Sequence, residues 1–224
     1  MCVERPSILC FCLYLNFTLF ASASHAQPPG PDSRLYNGRE YIRNGTPAKG
    51  FPYFEWDSLR PGLLEYGDVS YDISLEYDLA QDQLVIRNYS DNTLISLVAQ
   101  KTRYFSIGPY RFRYFPAGTA HLPEPGFYQE LYSGSKVTLL ARRRKNLVLP
   151  SSLDERAQYI QIDTYFLLLN GSSYKVKTEK ELLDILQDRK DELKKYIRKN
   201  HLSFRRHFEM SLTQTIAYYQ QLKT

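Results

Sequence analysis

Cysteine is scarce in this sequence of 224 residues, and its three copies all lie near the N-terminus, at Cys2, Cys10 and Cys12. Beyond them the chain has no thiol, which excludes disulfide bonds, a catalytic thiolate and a cysteine-ligated zinc site there. Such a chain must be stabilised by its own hydrophobic core, and a length of about 200 residues is sufficient for one domain.

The N-terminal segment also lacks the length of a membrane-spanning helix. Its apolar run, Ile8 to Phe20, is shorter than the roughly 20 residues that cross a bilayer. Small residues follow, with Ser24 and Ala26 as the pair before a signal peptidase site. We therefore predict that residues 1–26 are a signal peptide, that the mature chain has no transmembrane helix, and that the protein is exported to the periplasm or secreted.

Patterns that indicate catalysis, a cofactor or a metal are also missing. After residue 26 the histidines are His121, His201 and His207, and the last two are six residues apart, whereas helical ligand pairs are four apart. The sequence contains no GxSxG, phosphate-loop or GxGxxG motif. We predict no catalytic residues, no cofactor, no metal site, and a protein that is not an enzyme.

The most extensive pattern present is alternation of apolar and polar residues between positions 63 and 177. In VSYDISLEY (69–77) every odd position is apolar, and Asn-Gly at 170–171 is typical of a tight hairpin turn. About nine or ten such runs predict an antiparallel β-meander. A meander of that length must curl into a roll or barrel-like sheet, or be covered, to bury its faces.

A helical period replaces this alternation after residue 177. Thr178 and Glu181 form the pattern of a capping box, and leucines follow at helical spacing. A second apolar stripe begins at Phe204, so residues 178–222 are predicted to form an αα-hairpin. The predicted fold is α+β, with residues 27–36 as a disordered leader and residues 37–224 as a single domain.

The net charge of the protein lies in its last fifty residues. Residues 175–224 contain twelve Lys and Arg against seven Asp and Glu, and the rest of the chain is neutral. Within the first predicted helix the acids come early and the bases late, as in Glu179 and Lys199, which complements the helix dipole. This order indicates a solvated helix face and makes nucleic acid an improbable partner.

One basic run has no acid near it in sequence: Arg142, Arg143, Arg144 and Lys145 follow the predicted strand 136–141. Two interpretations remain open. Basic residues at a strand end protect a sheet edge from pairing with another sheet. Alternatively, the run contacts phosphate or carboxylate groups of lipopolysaccharide, peptidoglycan or another envelope polymer.

Two further groups of residues have both a structural and a functional interpretation. Tyr110, Phe112 and Tyr114 share one strand face, with Arg111 and Arg113 opposite, and either pack in the core or stack on sugars.

A glycan- or peptide-directed hydrolase is the alternative function. Such a hydrolase would use carboxylates near the Pro/Gly-rich loop 116–126, which contains His121 and Glu124. Asp72 and Asp78 are a second carboxylate pair, although turn chemistry at strand ends explains both of them more simply.

The chain resembles a family of exported, functionally uncharacterised proteins of Bacteroidota-type bacteria. The segments that carry this resemblance are NGREY (37–41), KGFPYF (49–54), YDISLEYD (71–78), GFYQELYSG (126–134), DRKDELKKYIRKN (188–200) and YYQQL (218–222). The resemblance implies export and a single domain, and it implies no activity. From the sequence we therefore expect a non-enzymatic exported protein that binds another protein or an envelope polymer.

Overall fold

The computed structural model describes residues 34–152 and 155–223. The predicted signal peptide, its cysteines and most of the predicted leader lie outside these residues. Residues 34–36 form a turn, and Leu35 is buried in the core with 2% of its surface exposed. The last residues of the predicted leader 27–36 therefore belong to the folded chain.

Twelve strands and three α-helices follow one another along the described chain. The strands are β1 (Arg39–Glu40), β2 (Ala48–Lys49), β3 (Arg60–Tyr66), β4 (Val69–Asp78), β5 (Gln83–Arg87), β6 (Leu94–Ser96), β7 (Thr102–Ile107), β8 (Tyr110–Phe115), β9 (Gly126–Ser133), β10 (Val137–Val148), β11 (Ala157–Leu169) and β12 (Ser172–Val176). The helices are α1 (Glu179–Ile185), α2 (Lys190–Lys199) and α3 (Phe208–Leu222). This order, strands and then helices, confirms the predicted α+β class.

All strands belong to one sheet in the order β1-β6-β5-β4-β3-β7-β8-β9-β10-β11-β12, with β2 paired to β11. Every pairing is antiparallel except that of β2 with β11. The sheet is open, since β1 and β12 lie at opposite ends of this order and do not pair in the described chain. Barrel-like closure is therefore not observed, and curvature into a roll stays a prediction.

The strands do not all follow one another in simple succession. The first meander runs from β3 to β6, and the chain then returns so that β7 pairs with the free side of β3. From β7 to β12 the order is again sequential. Alternation of apolar and polar residues does not depend on which strand lies beside it. The sequence pattern alone therefore does not reveal that β7 pairs with β3.

Strands β10 and β11 are much longer than the predicted segments 136–141 and 165–169. They pair from Val137–Leu169 to Val148–Gln158, whereas the pairing of β10 with β9 ends at Ala141. Residues 142–148 and 158–164 therefore form a two-stranded extension, here called the ribbon. Residues 142–146 are all polar or charged, and polar side chains interrupt the apolar ones in 158–164, which conceals the strand pattern in the sequence.

The sheet buries two large hydrophobic clusters. The first lies between β3 and β9, where the rings of Phe105 and Phe112 stack at 4.7 Å and Tyr77 meets both edge-on. The second lies between β10–β12 and the helices. Each fully buried aromatic or leucine side chain contributes about 1.5–3 kcal/mol, so both clusters stabilise the fold.

The helices cover the second cluster with the apolar stripes that the sequence predicts. The stripe residues are buried: Leu182, Leu186, Leu193, Ile197, Leu212, Ile216 and Tyr219. Thr178 Oγ1 accepts a hydrogen bond from the Glu181 amide, as the capping box requires. The first predicted helix is interrupted at residues 186–189, so three helices stand where two were predicted. Within the described ranges, none is long and apolar enough to cross a membrane.

Candidate functional site

The basic run Arg142–Lys145 lies inside β10, where every residue pairs with β11. Arg142 and Arg143 are buried, with 2% and 6% of their surface exposed. Because successive side chains of a strand point to opposite faces, the two guanidinium groups enter different polar clusters. The run is therefore not a continuous basic surface, and it does not lie at a strand end.

Arg142 forms a two-point ion pair with Asp82, with its two terminal nitrogens 2.7 and 2.9 Å from the carboxylate oxygens. It also donates to the Phe127 carbonyl, and the Tyr77 hydroxyl donates to the same Asp82 carboxylate. Gly126 closes the site: its φ is +137°, and a Cβ atom there would collide with Arg142 and Asp82. This packing assigns Arg142 to the interior.

Arg143 joins three strands to the last helix on the opposite face. Its terminal nitrogens lie 2.8 Å from Asp163 and 2.6 Å from Glu209, and its Nε donates to Gln129. These partners come from β11, α3 and β9. The ion pairs therefore fix α3 against the sheet.

The other two residues of the run also have partners in the chain. Arg144 pairs with Glu124 at 2.9 Å, and Lys145 Nζ donates to the carbonyls of Phe51 and Tyr53. Burial lowers the pKa of Lys145. A polyanion would have to compete with all of these partners, so the geometry does not favour the run as its contact.

The carboxylates proposed for a hydrolase lie apart or are already bound. Asp72 is exposed, whereas Asp78 is fully buried and accepts hydrogen bonds from the Tyr41 hydroxyl and two backbone amides. In the 116–126 loop His121 is exposed, and Glu124 lies 3.6 Å from the Nε of Arg142. A guanidinium group thus lies between Glu124 and Asp82, where a substrate bond would have to be.

A second buried acid lies under the segment that crosses the outer face of β4 and β5. Glu76 is 2% exposed and pairs with Arg43 at 2.6 Å, while its Oε1 has no hydrogen-bond partner in the described chain. Desolvation raises the pKa of Glu76 to about 7, against the opposing effect of Arg43. A carboxylate with this pKa changes charge near neutral pH.

The exposed feature richest in binding chemistry lies on the outer face of β7 and β8. Three guanidinium groups surround the ring of Tyr104, with Arg111 at 4.2 Å, Arg113 at 5.5 Å and Arg103 at 5.6 Å from its centroid. We call these four residues the Tyr104 surface. Each distance is within the range of a cation–π contact, and Arg113 also lies 4.8 Å from the ring centroid of Phe115.

Strand register and a β-bulge bring these residues together. Tyr104 lies opposite Arg113 and Ser106 opposite Arg111 in the β7–β8 hairpin. On the β3 side, Glu65 pairs with Tyr104 and the next residue pairs with Thr102, which leaves Arg103 as an extra residue. A bulge redirects a side chain, and here it accounts for Arg103 joining the face of Tyr104.

The Tyr104 surface has more positive than negative charge and is open to solvent. The side chains of Arg103 and Arg111 are 74% and 56% exposed, with Glu65 at 4.0 Å from the first and Glu130 at 3.5 Å from the second. Arg113 forms no ion pair with any carboxylate in the described part of the chain. A cleft of about 270 Å³ adjoins the surface and is lined by Leu63, Glu65, Ser70, Tyr104, Ser106 and Arg111.

Sequence reasoning placed only part of this surface. The aromatic stripe is core, as one interpretation held: Phe112 is buried, and Tyr110 and Tyr114 pack against the first cluster. The turn at 108–109 sets Tyr104 opposite Arg113, so the proximity of these two residues could be predicted from the hairpin register. The position of Arg103 depends on the return of the chain to β3, which leaves no local signal.

Comparisons add no further constraint on this chain. Among residues 34–152 and 155–223, no group of three or more His, Cys, Asp or Glu side chains is arranged to hold a metal ion. No protein-family model, no curated protein and no solved structure matches the chain. The resemblance to an exported bacterial family therefore stays a prediction.

Proposed function

We propose that this chain is an exported, non-enzymatic binding protein whose Tyr104 surface contacts the anionic groups of a cell-envelope polymer. One observation carries the proposal: three arginine side chains surround one tyrosine ring on an exposed sheet face. Guanidinium groups bind phosphate and carboxylate through paired hydrogen bonds, and the ring adds a stacking surface for a sugar.

An extended polymer suits this face better than a small enclosed ligand does. Arg103 is mostly exposed, and the adjoining cleft has a volume of only about 270 Å³. The surface therefore offers several contacts without burying a ligand on all sides. Repeated anionic groups add their contacts along such a surface. The apolar N-terminal run and the absence of cysteine after residue 12 support an envelope location.

The non-enzymatic part of the proposal rests on the carboxylates. Asp82 and Glu124 both face Arg142, and Asp78 is saturated with hydrogen bonds. A general acid or base must be within hydrogen-bond reach of the substrate. The two carboxylates near the 116–126 loop instead hold a buried cation, so we do not favour the hydrolase alternative.

The test compares two triple variants with the same loss of charge. Arg103, Arg111 and Arg113 are replaced by Ser in one, and Lys194, Lys195 and Lys199 on α2 are replaced by Ser in the other. Binding to insoluble peptidoglycan and to lipopolysaccharide is measured by co-sedimentation at several salt concentrations. We expect the arginine variant to bind at least about tenfold more weakly to one of them, because each charged contact contributes about 1.5–3 kcal/mol.

The lysine variant should bind within about twofold of the parent, because α2 presents a solvated face. Equal losses in both variants would show that only net charge matters. If the parent protein does not bind either polymer, an envelope polymer is excluded as the ligand. Single-stranded DNA is included as a competitor. Preference for it over both envelope polymers would assign the surface to nucleic acid instead.

A further inference from the structure

One edge of β11 contains a gap between two neighbouring strands. Along its first side β11 pairs with β10 from Gln158 to Leu169. On its other side β2 pairs only with residues 157–158 and β12 only with residues 165–169. Within the described chain, residues 159–164 have no strand partner on this side. We call this six-residue stretch the notch.

Both neighbouring strands turn away from the notch. After β2 the backbone of Gly50 has a φ of +76°, a left-handed conformation that ends the strand, and the Phe51 carbonyl then accepts from Lys145 on a sheet face. After β12 the chain enters α1 through its cap at Thr178. A cavity of about 420 Å³ lies at the β12 end, lined by Asp163, Thr164, Tyr165, Lys175, Val176, Lys177 and Phe208.

The notch presents an apolar face to solvent. Ile160 and Ile162 alternate along it and are 43% and 47% exposed. Val148, opposite Gln158 on the paired strand, is 47% exposed as well. Unpaired backbone beside exposed apolar side chains is a template for another strand, which proteins normally cover or protect with charge.

Basic side chains lie at both ends of the notch. Lys49 pairs across from Gln158, and Arg156 precedes the strand. At the other end Lys175 and Lys177 line the cavity. The acid within the notch, Asp163, is already paired with Arg143. A partner with negative charge at both ends is therefore electrostatically complementary.

We propose that the notch binds a short extended segment of a partner protein, which adds to β11 as a strand. Its apolar residues alternate to meet Ile160 and Ile162, and acidic residues lie on both sides. Six residues span roughly 20 Å at about 3.3 Å per residue, so the segment must be short.

A second copy of this chain does not fit the notch. In an antiparallel pairing of two β11 strands, each strand would continue past the notch into the position that β2 or β12 of the other copy occupies. The occupant must therefore leave the edge at both ends, as a chain terminus or an exposed loop does.

The first experiment uses a labelled peptide, Asp-Asp-Val-Thr-Val-Thr-Val-Asp-Asp, with the purified full chain and fluorescence anisotropy as the readout. We expect saturable binding, and at least about tenfold weaker binding when lysines replace the four aspartates, because the ends of the notch are basic. Equal binding of the two peptides, or no binding of either, would overturn the proposal.

Two N-methylated peptides then test whether the backbone pairs. In an edge strand, successive amides point alternately toward the neighbouring strand and away from it. Methylation of the valine amides and methylation of the threonine amides should therefore differ, with one series losing binding by about tenfold or more. If both series bind alike, the peptide is not added as a strand.

A double variant, Ile160→Lys with Ile162→Lys, tests the location. It should weaken peptide binding about tenfold, while Ile42→Lys, at an apolar residue elsewhere that is 77% exposed, should leave binding unchanged. Thermal unfolding checks that both variants fold. An unchanged affinity in the double variant would contradict the location. A dimer that dissociates only in the double variant would assign the notch to a second copy.

Discussion

Two groups of arginines on the same sheet differ in their burial and in their spacing along the sequence. Arg142 and Arg143 are adjacent in sequence, buried, and held by carboxylates from distant elements. Arg103, Arg111 and Arg113 are dispersed over two strands, yet they meet around one exposed ring.

The difference shows that a basic run in sequence is not a basic surface in the fold. A run along a strand sends its charges to opposite faces, whereas a hairpin gathers charges from separate positions on one face. The buried group determines stability, and the exposed group is available for binding.

The largest expected effect is the loss of stability when an arginine of the buried group is replaced, compared with one of the exposed group. Arg142→Met leaves the Asp82 carboxylate buried without its partner, so we expect the free energy of unfolding to fall by about 3–5 kcal/mol. Arg103→Met, the same change at a guanidinium whose side chain and carboxylate partner are both exposed, should cost less than about 1 kcal/mol. Urea unfolding of the two variants measures the difference, and similar midpoints would contradict the comparison.

Removal of the acid as well provides a further control for this prediction. In the double variant Arg142→Met with Asp82→Asn, no unpaired charge remains, so part of the lost stability should return. If the double variant is no more stable than Arg142→Met, packing rather than charge explains the loss.

The next effect concerns Glu76, the buried acid that is paired with Arg43. The pKa of Glu76 is about 7 in the folded chain, above its ordinary value of 4.5, so folding takes up a proton between these values. Stability from this group is present at low pH and is lost as pH rises toward 7. We expect Glu76→Gln to be more stable than the parent by roughly 1–3 kcal/mol at pH 8, and to lose this advantage near pH 4.5.

Urea unfolding at the two pH values measures this slope. Arg43→Met should have the opposite effect at pH 8, because Arg43 is the cation that lowers the pKa of Glu76. Identical pH profiles for the parent and Glu76→Gln would show that Glu76 does not titrate in this range.

The smallest expected effect concerns Glu130, the carboxylate beside Arg111 in the exposed arginine group. Glu130→Gln removes the carboxylate that lies 3.5 Å from Arg111. We expect binding to the anionic polymer to strengthen a few-fold, because Arg111 loses an internal competitor. Co-sedimentation measures the affinity, and weaker binding would show that Glu130 itself contacts the ligand.

The local parts of the fold were accessible from sequence. The alternation in 69–77 and 110–115 matches β4 and β8 closely, and the Thr178 cap begins α1 as predicted. These features depend on neighbouring residues alone, so their physics is contained in short segments.

The remaining parts depend on contacts between distant segments. The ribbon has polar residues on both faces because Asp163, Glu209 and Glu124 supply partners that the local pattern does not show. The interruption of the first helix, the return to β3 and the bulge at Arg103 also involve tertiary contacts. Of the candidate surface, Arg111, Arg113 and Tyr104 were therefore predictable from alternation and hairpin register, whereas Arg103 was not.

The pairing of β7 with β3 has a consequence for a chain that folds from its N-terminus onward. When β3 has emerged, the side that later pairs with β7 still exposes its amides and carbonyls. That side is covered only after the thirty-five residues from Gly67 to Lys101 have followed and β7 arrives. Until then the half-built sheet is open to pairing with other chains, so synthesis at high concentration should favour aggregation at this stage.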